Sequence, residues 1–265
     1  MYNFPQLASR YFRYRFRASN GKGHGTHSPF VYDFITRVLN DRTPSPAYKK
    51  VEMMRRQLKA DARVLSVDDF GAGSVYAAKK QRSVQSIART AAKPRKYGQL
   101  LYRLVSYYQP RQLLELGTSL GITSAYLSLA ATNGRLVTME GASEVAAVAR
   151  ENFNALGISN IHLLEGNFEE TLPLYLAGAG TIDFAFIDGN HRKEPTLAYF
   201  NQLMQHAGND SIFIFDDIHW SEEMEMSWEI IRNDPRVRCS IDLFFIGIVV
   251  FRQEFREKQH FEIRY

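Results

Sequence analysis

Short apolar runs alternate with amphipathic segments from residue 97 onward. Five runs have the length of a strand, and each is followed by a segment whose apolar residues recur every three or four positions, as on a helix face. These runs are residues 112–116, 135–140, 161–165, 181–188 and 211–217. Two more runs, 237–243 and 246–251, lie close enough to pair as a hairpin. This alternation predicts an α/β fold with a doubly wound, mostly parallel sheet and an antiparallel edge hairpin.

The first 20 residues carry an aromatic stripe at helical spacing, with a basic stripe beside it. The aromatic stripe consists of Phe4, Leu7, Tyr11 and Tyr14, and the basic stripe of Arg10, Arg13 and Arg17. Such a helix suits a membrane surface or RNA, but it equally suits docking onto the main domain. Docking is the favoured interpretation, because large apolar side chains are usually buried.

Residues 21–95 are expected to be helical and basic, without a sheet of their own. Residues 30–39 and 47–60 are predicted helices, the first beginning at Pro29. Residues 64–74 look like a strand entering a glycine loop, but no second strand that ends in an acid follows. A nucleotide-binding loop requires that strand, so we interpret 64–74 as a turn and expect no strand in 77–97.

Charge divides the chain in two. Residues 1–110 hold 21 Lys and Arg against 6 Asp and Glu, whereas residues 111–265 hold 12 against 22. We therefore predict a basic helical cap or lid over residues 1–95 and a main domain over 96–265. The basic part could bind an anionic partner or complement the acidic half, and composition does not decide between them.

The remaining composition narrows the class of protein. The 265 residues are 45% apolar, enough for a full core. Cys239, the single cysteine, excludes a disulfide framework and is expected in the core. No run reaches the length of a membrane span and no apolar signal core begins the chain, so a cytoplasmic protein is expected.

Acidic residues and glycines follow the predicted strands in succession. They are Glu115, Gly117, Glu140, Gly166, Asn167, Phe168, Asp188, Asp216 and Asp217. Ligands bind beyond the carboxyl ends of parallel strands, so these residues are candidates for a site. Gly117 and Gly121 allow the backbone to approach a ligand, and Glu140, 23 residues after Gly117, suits the two hydroxyls of a ribose. Because no lysine follows the glycine loop, a cationic nucleoside without phosphates fits better than a triphosphate.

The segment 115–121, Glu-Leu-Gly-Thr-Ser-Leu-Gly, resembles motif I of the class I S-adenosylmethionine-dependent methyltransferases. Residues 97–101 and 187–191 are similar to small-molecule O-methyltransferases of the catechol, caffeoyl-CoA and bacterial natural-product type. The resemblance covers residues 96–251 and implies a Rossmann-like fold and methyl transfer to a small-molecule hydroxyl. The cofactor-binding residues it implies are Glu115, Gly117, Thr118, Ser119, Gly121, Thr123, Glu140, Gly141, Gly166, Asn167, Phe168 and Asp188.

The same resemblance implies a divalent cation, as in the metal-dependent members. The matching ligands are Asp188, Asp216 and Asp217, and an all-oxygen set favours Mg²⁺. Asp217 departs from the pattern, because catechol-type enzymes carry Asn there, so metal dependence stays open.

Catalysis in this family requires an acceptor hydroxyl that is activated and deprotonated. We expect His191 to take the proton, beside Asp188, with Lys193 and His219 as reserves.

Two other functions compete with this one. An RNA methyltransferase would use the basic N-terminal part, but no tip of the Asn-Pro-Pro-Tyr type follows the fourth strand. A binding module without catalysis would be expected to have lost the motif I residues, which are all in place. We further expect His24 to Phe34 to form part of a lid over Asp188. The sequence leaves the acceptor and the oligomeric state open, with a homodimer as one candidate.

Overall fold

The computed structural model describes residues 1–19, 21–23, 28–69 and 78–265. The chain divides into two compact units. One unit joins Met1–Asn40 to Leu176–Tyr265, and the other comprises Asp41–Tyr175. The predicted boundary between residues 95 and 96 stays a prediction.

Three helical segments begin the first unit: α1 (Phe4–Arg17), α2 (Pro29–Asp33) and a π-helix (Phe34–Leu39). Asn3 and Gln6 form a capping box at the start of α1. The predicted helix over 30–39 is confirmed, but its second half is wider than an α-helix, with the Asn40 N–H donating to Ile35 O at 3.0 Å.

Helix α1 docks through Leu7, Tyr11 and Tyr14 of its aromatic stripe, as the favoured interpretation expected, whereas Phe4, the fourth member of the stripe, is 84% exposed. Tyr14 is 6% exposed, and its ring lies 5.3 Å from that of Phe244. The Tyr14 hydroxyl donates to Ile263 O. Arg10 pairs with Glu225 at 3.3 Å, so a basic residue of the N-terminal part meets an acidic residue of the C-terminal part.

The second unit contains a hairpin, three parallel strands and their helices. Its elements are α3 (Pro46–Leu58), β1 (Val64–Asp69), β2 (Ala78–Ser83), α4 (Val84–Thr90), α5 (Arg95–Tyr108), β3 (Gln112–Leu116), α6 (Ile122–Ala130), β4 (Arg135–Glu140), α7 (Ser143–Ala155), β5 (Ile161–Glu165) and α8 (Phe168–Leu176). Strand β4 pairs in parallel with β3 on one side and β5 on the other. Leu113 and Leu114 are fully buried, as the apolar run predicted.

The hairpin β1–β2 corrects the sequence analysis, which expected a turn over 64–74 and no strand in 77–97. Val64 pairs with Ser83 and Asp69 with Ala78 in an antiparallel register. Strand β2 escaped the apolar pattern because it pairs only with β1 and its residues, AKKQRS, show no alternation. Contacts with α7 hold the hairpin, since Ser66 N–H donates to Glu144 at 2.7 Å and Arg63 pairs with Glu151 at 2.9 Å.

The remaining elements belong to the first unit. They are β6 (Ile182–Ile187), α9 (Lys193–Leu203) with a 3₁₀ turn (Met204–His206), β7 (Ala207–Asp216), α10 (Glu222–Asn233), β8 (Cys239–Asp242), β9 (Ile246–Val250) and β10 (Gln259–Glu262). Within this unit the strand order is β10-β8-β9-β7-β6. Strands β6 and β7 are parallel, and β9 is antiparallel to β7 and β8, which confirms the predicted hairpin.

The short strand β10 was not predicted. It pairs in parallel with β8 and has only four residues, too few for a periodic signal. Cys239 in β8 is fully buried, and burial raises the pKa of its thiol to about 12, which confirms it as a core residue. In the described ranges, no helix combines the length and the apolar composition that crossing a bilayer requires.

Candidate functional site

A tight glycine loop joins β3 to α6 in the second unit. Gly117 (φ 104°), Ser119 (φ 48°) and Gly121 (φ 79°) all adopt left-handed backbone conformations. The N–H groups of Gly117 and Thr118 donate to Met139 O at 3.1 and 3.0 Å. A Cβ at Gly121 would lie 2.5 Å from the Phe153 ring, so only glycine fits there. The loop therefore brings bare backbone to the end of β3.

Glu115 and three hydroxyls form a buried network behind this loop. The Glu115 side chain is fully buried, and its Oε2 accepts hydrogen bonds from Thr138 at 2.7 Å and from Ser124. The hydroxyls of Thr118 and Thr138 lie 2.6 Å apart. Glu115 thus ties strands β3 and β4 to helix α6, while the predicted cofactor residue Thr123 lies in the first turn of that helix.

Glu140 ends β4 with its carboxylate held by two backbone donors. Its Oε2 accepts from the Ser119 N–H at 2.8 Å, and its Oε1 accepts from the Ala142 N–H at 3.0 Å. These bonds join the glycine loop to the tip of β4, where Gly141 is half-buried. The carboxylate is consequently fixed in direction at the edge where a ribose is expected.

The tip of β5 lies beside that of β4. Gly166 N–H donates to Glu140 O at 2.9 Å, and Asn167 Oδ1 accepts from the Glu169 N–H at 3.2 Å. Phe168 begins α8 and is half-buried. We use the term cofactor edge for residues 115–121, 123, 140–141 and 166–168. The second unit thus gathers all the predicted cofactor residues except Asp188.

A cluster of two acids and a histidine lies in the first unit, where β6 and β7 end. Candidate ligand atoms of Asp188, His191 and Asp216 all lie within 4.8 Å of one another. His191 Nε2 lies 3.4 Å from Asp188 Oδ1. Asp216 is 1% exposed. Asn190 (φ 65°) and His191 (φ 23°) bend the chain sharply after Asp188. We call Asp188, His191 and Asp216 the acidic cluster.

Asp217 and Lys193 were also predicted for this site, and neither belongs to the acidic cluster. Asp217 has a left-handed backbone (φ 52°), and its N–H donates to Phe245 O at 2.7 Å. Lys193 begins α9, and its N–H donates to Glu223 at 3.1 Å. The described geometry therefore joins two of the three predicted metal ligands, together with the predicted base.

The donor atoms of the acidic cluster fit a divalent cation. Carboxylate oxygens suit Mg²⁺, whereas an imidazole nitrogen suits transition metals. The burial of Asp216 also fits, because a buried carboxylate requires a compensating charge or hydrogen bonds.

His219 is unsuited to its predicted role as a reserve base. Its Nε2 lies 2.8 Å from Asp242 and its Nδ1 lies 3.1 Å from Glu225. Burial alone would lower the pKa of His219, but the two carboxylates outweigh burial and raise it to about 9. The imidazole is therefore protonated at neutral pH and cannot accept a proton. Sequence reasoning missed this network because Asp242 and Glu225 come from separate elements.

The chain is similar to known methyltransferases. Residues 114–218 match the family model described as a methyltransferase domain. The chain is 32% identical over 124 residues to a catechol O-methyltransferase of Niastella koreensis, which covers 46% of this chain and 55% of that protein. It is 31% identical over 153 residues to a catechol O-methyltransferase of Mycobacterium tuberculosis. That match covers 57% of this chain and 66% of that protein.

One solved structure shares the fold over nearly the whole chain. A Podospora anserina methyltransferase with bound S-adenosylhomocysteine superposes with a TM-score of 0.60 at 14% identity, covering 96% of this chain and 98% of that one. The doubly wound, Rossmann-like fold class is thereby confirmed. Residues 114–218 are thus similar to a methyltransferase domain, and the chain is similar to catechol O-methyltransferases. The matched region spans only 55% to 66% of the length of those relatives.

Proposed function

We propose that this protein transfers a methyl group from S-adenosylmethionine to a hydroxyl of a small molecule. The observation that carries the proposal is the Glu140 carboxylate, held by the Ser119 and Ala142 N–H groups beside the glycine loop. A carboxylate in a fixed direction suits the two hydroxyls of a ribose. Two relatives are named catechol O-methyltransferases, and this supports the choice of oxygen as the methyl acceptor.

Each part of the cofactor edge has a role in this proposal. The backbone at Gly117 would approach the methionine part, and Gly121 lets the loop turn against Phe153 of α7. Glu140 would accept hydrogen bonds from both ribose hydroxyls, and residues 166–168 would flank the adenine. Glu115 positions the loop from behind, since its carboxylate is buried among protein hydroxyls. When bound, S-adenosylmethionine supplies the methyl group.

His191 is the proposed general base. Its Nε2 faces Asp188 Oδ1 at 3.4 Å, and a carboxylate in that position favours the tautomer with hydrogen on Nε2. The other nitrogen, Nδ1, then takes the proton from the acceptor hydroxyl. Asp188 also stabilises the imidazolium that forms. Lys193 stays a reserve for this role.

We propose that Asp188 and Asp216 hold a divalent cation, with Mg²⁺ as the first candidate. When bound, the cation lowers the pKa of the acceptor hydroxyl. A cation that also took His191 as a ligand would remove the base. For this reason we assign the two carboxylates to the cation and the imidazole to the proton.

The proposal is tested by methyl transfer from labelled S-adenosylmethionine to a panel of catechols and other small hydroxyl compounds. We expect turnover that His191→Gln lowers at least about a hundredfold while cofactor affinity is kept. Turnover on RNA, with none on the panel, would contradict the proposal and favour the RNA alternative.

The location and the partners follow from the same chemistry. We propose a cytoplasmic enzyme with a small-molecule acceptor, and its free, buried cysteine is compatible with a reducing compartment. A homodimer stays a candidate, which light scattering of the purified protein would decide.

A further inference from the structure

Helix α1 has a second aromatic face that the docked stripe leaves outside. Tyr11 and Tyr14 turn inward toward Phe244. The side chains of Phe12 and Phe16, one turn apart, are 63% and 84% exposed. We call these two residues the phenylalanine face. Phe4, which is 84% exposed, lies about 80° around the helix from Phe12.

Arginines border the phenylalanine face on both sides. At about 100° per residue, Arg15 falls on one side of Phe12, and Arg13 and Arg17 fall beyond Phe16 on the other. All three arginines are exposed, and α1 contains no acidic residue. The exposed surface of α1 is therefore apolar along its middle and positive at its margins.

This surface does not arise from an imperfect amphipathic helix, because the core side of α1 is already complete. The inward stripe contributes buried Tyr14, and the Tyr14 hydroxyl bonds to Ile263 O. Docking therefore holds the phenylalanine face outward, in a fixed orientation. Two exposed phenylalanines one turn apart mark an interaction surface, whereas a single one would carry no meaning.

We propose that α1 binds the surface of a membrane rich in anionic lipid. Phe12 and Phe16, one turn apart, insert at the boundary between headgroups and acyl chains. Arg13, Arg15 and Arg17 pair with anionic headgroups. The helix lies flat in the interface and does not span the bilayer.

Charge and shape select lipid as the occupant. Four arginines and no acid on α1 complement an anionic surface. Arg10 pairs with Glu225, and Arg13 and Arg17 line a pocket that also contains acidic residues, whereas Arg15 lies outside that pocket. Nucleic acid could also attract these charges, but base stacking requires aromatic rings with open faces in an array, typically on a sheet. Two phenylalanines one turn apart on a convex helix surface fit the lipid interface better.

The experiment is flotation of the full chain with vesicles of equal parts phosphatidylglycerol and phosphatidylcholine. We expect binding that weakens at high salt and is lost on pure phosphatidylcholine. The double variant Phe12→Ser/Phe16→Ser should bind at least about tenfold more weakly, because two large apolar side chains no longer insert. Its cooperative thermal unfolding should match the wild type, since both side chains are exposed.

Leu174→Ser is the matched control. Leu174 is an apolar side chain that is 78% exposed on α8, so its loss should leave flotation unchanged. Equal flotation of the wild type and the double variant would overturn the proposal. So would tight binding of a single-stranded RNA that the double variant loses, without any flotation on anionic vesicles.

Discussion

Glu140 accepts one backbone hydrogen bond on each carboxylate oxygen, so its direction is set before a ligand arrives. A side chain that is already oriented loses little entropy on binding, which raises the contribution of its contacts. The sequence placed Glu140 at a strand end and suggested a ribose. It did not show that Ser119 and Ala142 orient the carboxylate, because these bonds depend on the left-handed turn at Ser119.

Glu140→Ala should weaken S-adenosylmethionine binding by about 1–3 kcal/mol, because it removes charge-assisted hydrogen bonds to the ribose. The affinity of Glu140→Gln, which keeps one oxygen acceptor, should lie between that of the wild type and that of the alanine variant. Isothermal calorimetry of the three proteins provides the measurement. Unchanged affinity in the alanine variant would exclude Glu140 as the ribose ligand.

The acidic cluster predicts different behaviour for two neighbouring aspartates. Asp216→Asn should abolish the response of turnover to Mg²⁺, because Asp216 belongs to the cluster. Asp217→Asn should keep that response, because Asp217 lies outside the cluster. Its backbone N–H donates a hydrogen bond to Phe245 O instead. Turnover is measured in excess chelator and after Mg²⁺ is restored. Full activity of the wild type in chelator would show that turnover requires no cation and depends on His191 alone.

His219 predicts how stability depends on pH. Its pKa rises from 6.5 to about 9 in the folded protein, so its stabilisation is complete below pH 6.5 and is lost as the pH rises through about 9. We expect the free energy of unfolding to fall by on the order of 2 kcal/mol over this range. The pairing carboxylates are Asp242 and Glu225, and Arg10 and Tyr2 also contact Glu225.

Urea unfolding of the wild type and of His219→Gln across this range checks the expectation. The variant should be less stable at pH 6 and lose less stability toward pH 9. A wild-type stability that stays level from pH 6.5 to 9 would show that His219 is not protonated in the folded chain.

At the scale of elements, apolar runs predicted the strands that have neighbours on both sides, and also β5, which pairs with β4 only. Strand β4 is buried from Leu136 to Met139 and β7 from Ser211 to Asp216, and burial imposes the apolar pattern that sequence reasoning detects. The strands β2 and β10 escaped because backbone pairing at an edge requires no apolar side chain. The site was also only partly predictable from the sequence. The strand ends were visible in the sequence, but the turns that include His191 and exclude Asp217 depend on local φ values.

Two residues of α1 should differ sharply in their effect on stability. Tyr14→Ala should lower the free energy of unfolding by about 3 kcal/mol, because it leaves a cavity beside Phe244 and removes the bond to Ile263 O. Phe12→Ala, in the same helix, should change it by less than about 0.5 kcal/mol, because Phe12 is 63% exposed. Denaturant unfolding of both variants makes the comparison. Equal losses would contradict the docked orientation of α1.

At the scale of the whole molecule, the two units divide the predicted chemistry. The cofactor edge belongs to Asp41–Tyr175, whereas the acidic cluster belongs to the unit that joins Met1–Asn40 to Leu176–Tyr265. The N-terminal part therefore shares a unit with the residues proposed to prepare the acceptor. The predicted lid from His24 to Phe34 stays a prediction, because residues 24–27 lie outside the described ranges, while Phe30 contacts Phe255 at 5.7 Å.

Deletion of residues 1–35 should separate the two units in function. It removes buried side chains of the first unit, among them Tyr14, Val31 and Phe34, so hydrogen exchange should accelerate in β7 and β9 but not in β3 and β4. Cofactor affinity should be nearly intact, because the cofactor edge lies in the other unit, while turnover on a small acceptor falls steeply. The full-length double variant Phe12→Ser/Phe16→Ser is the control, and it should keep both the cofactor affinity and the turnover of the wild type. Preserved turnover in the truncated protein would exclude both a lid and a supporting role for residues 1–35, and a parallel loss of cofactor affinity would show that the two units do not act separately.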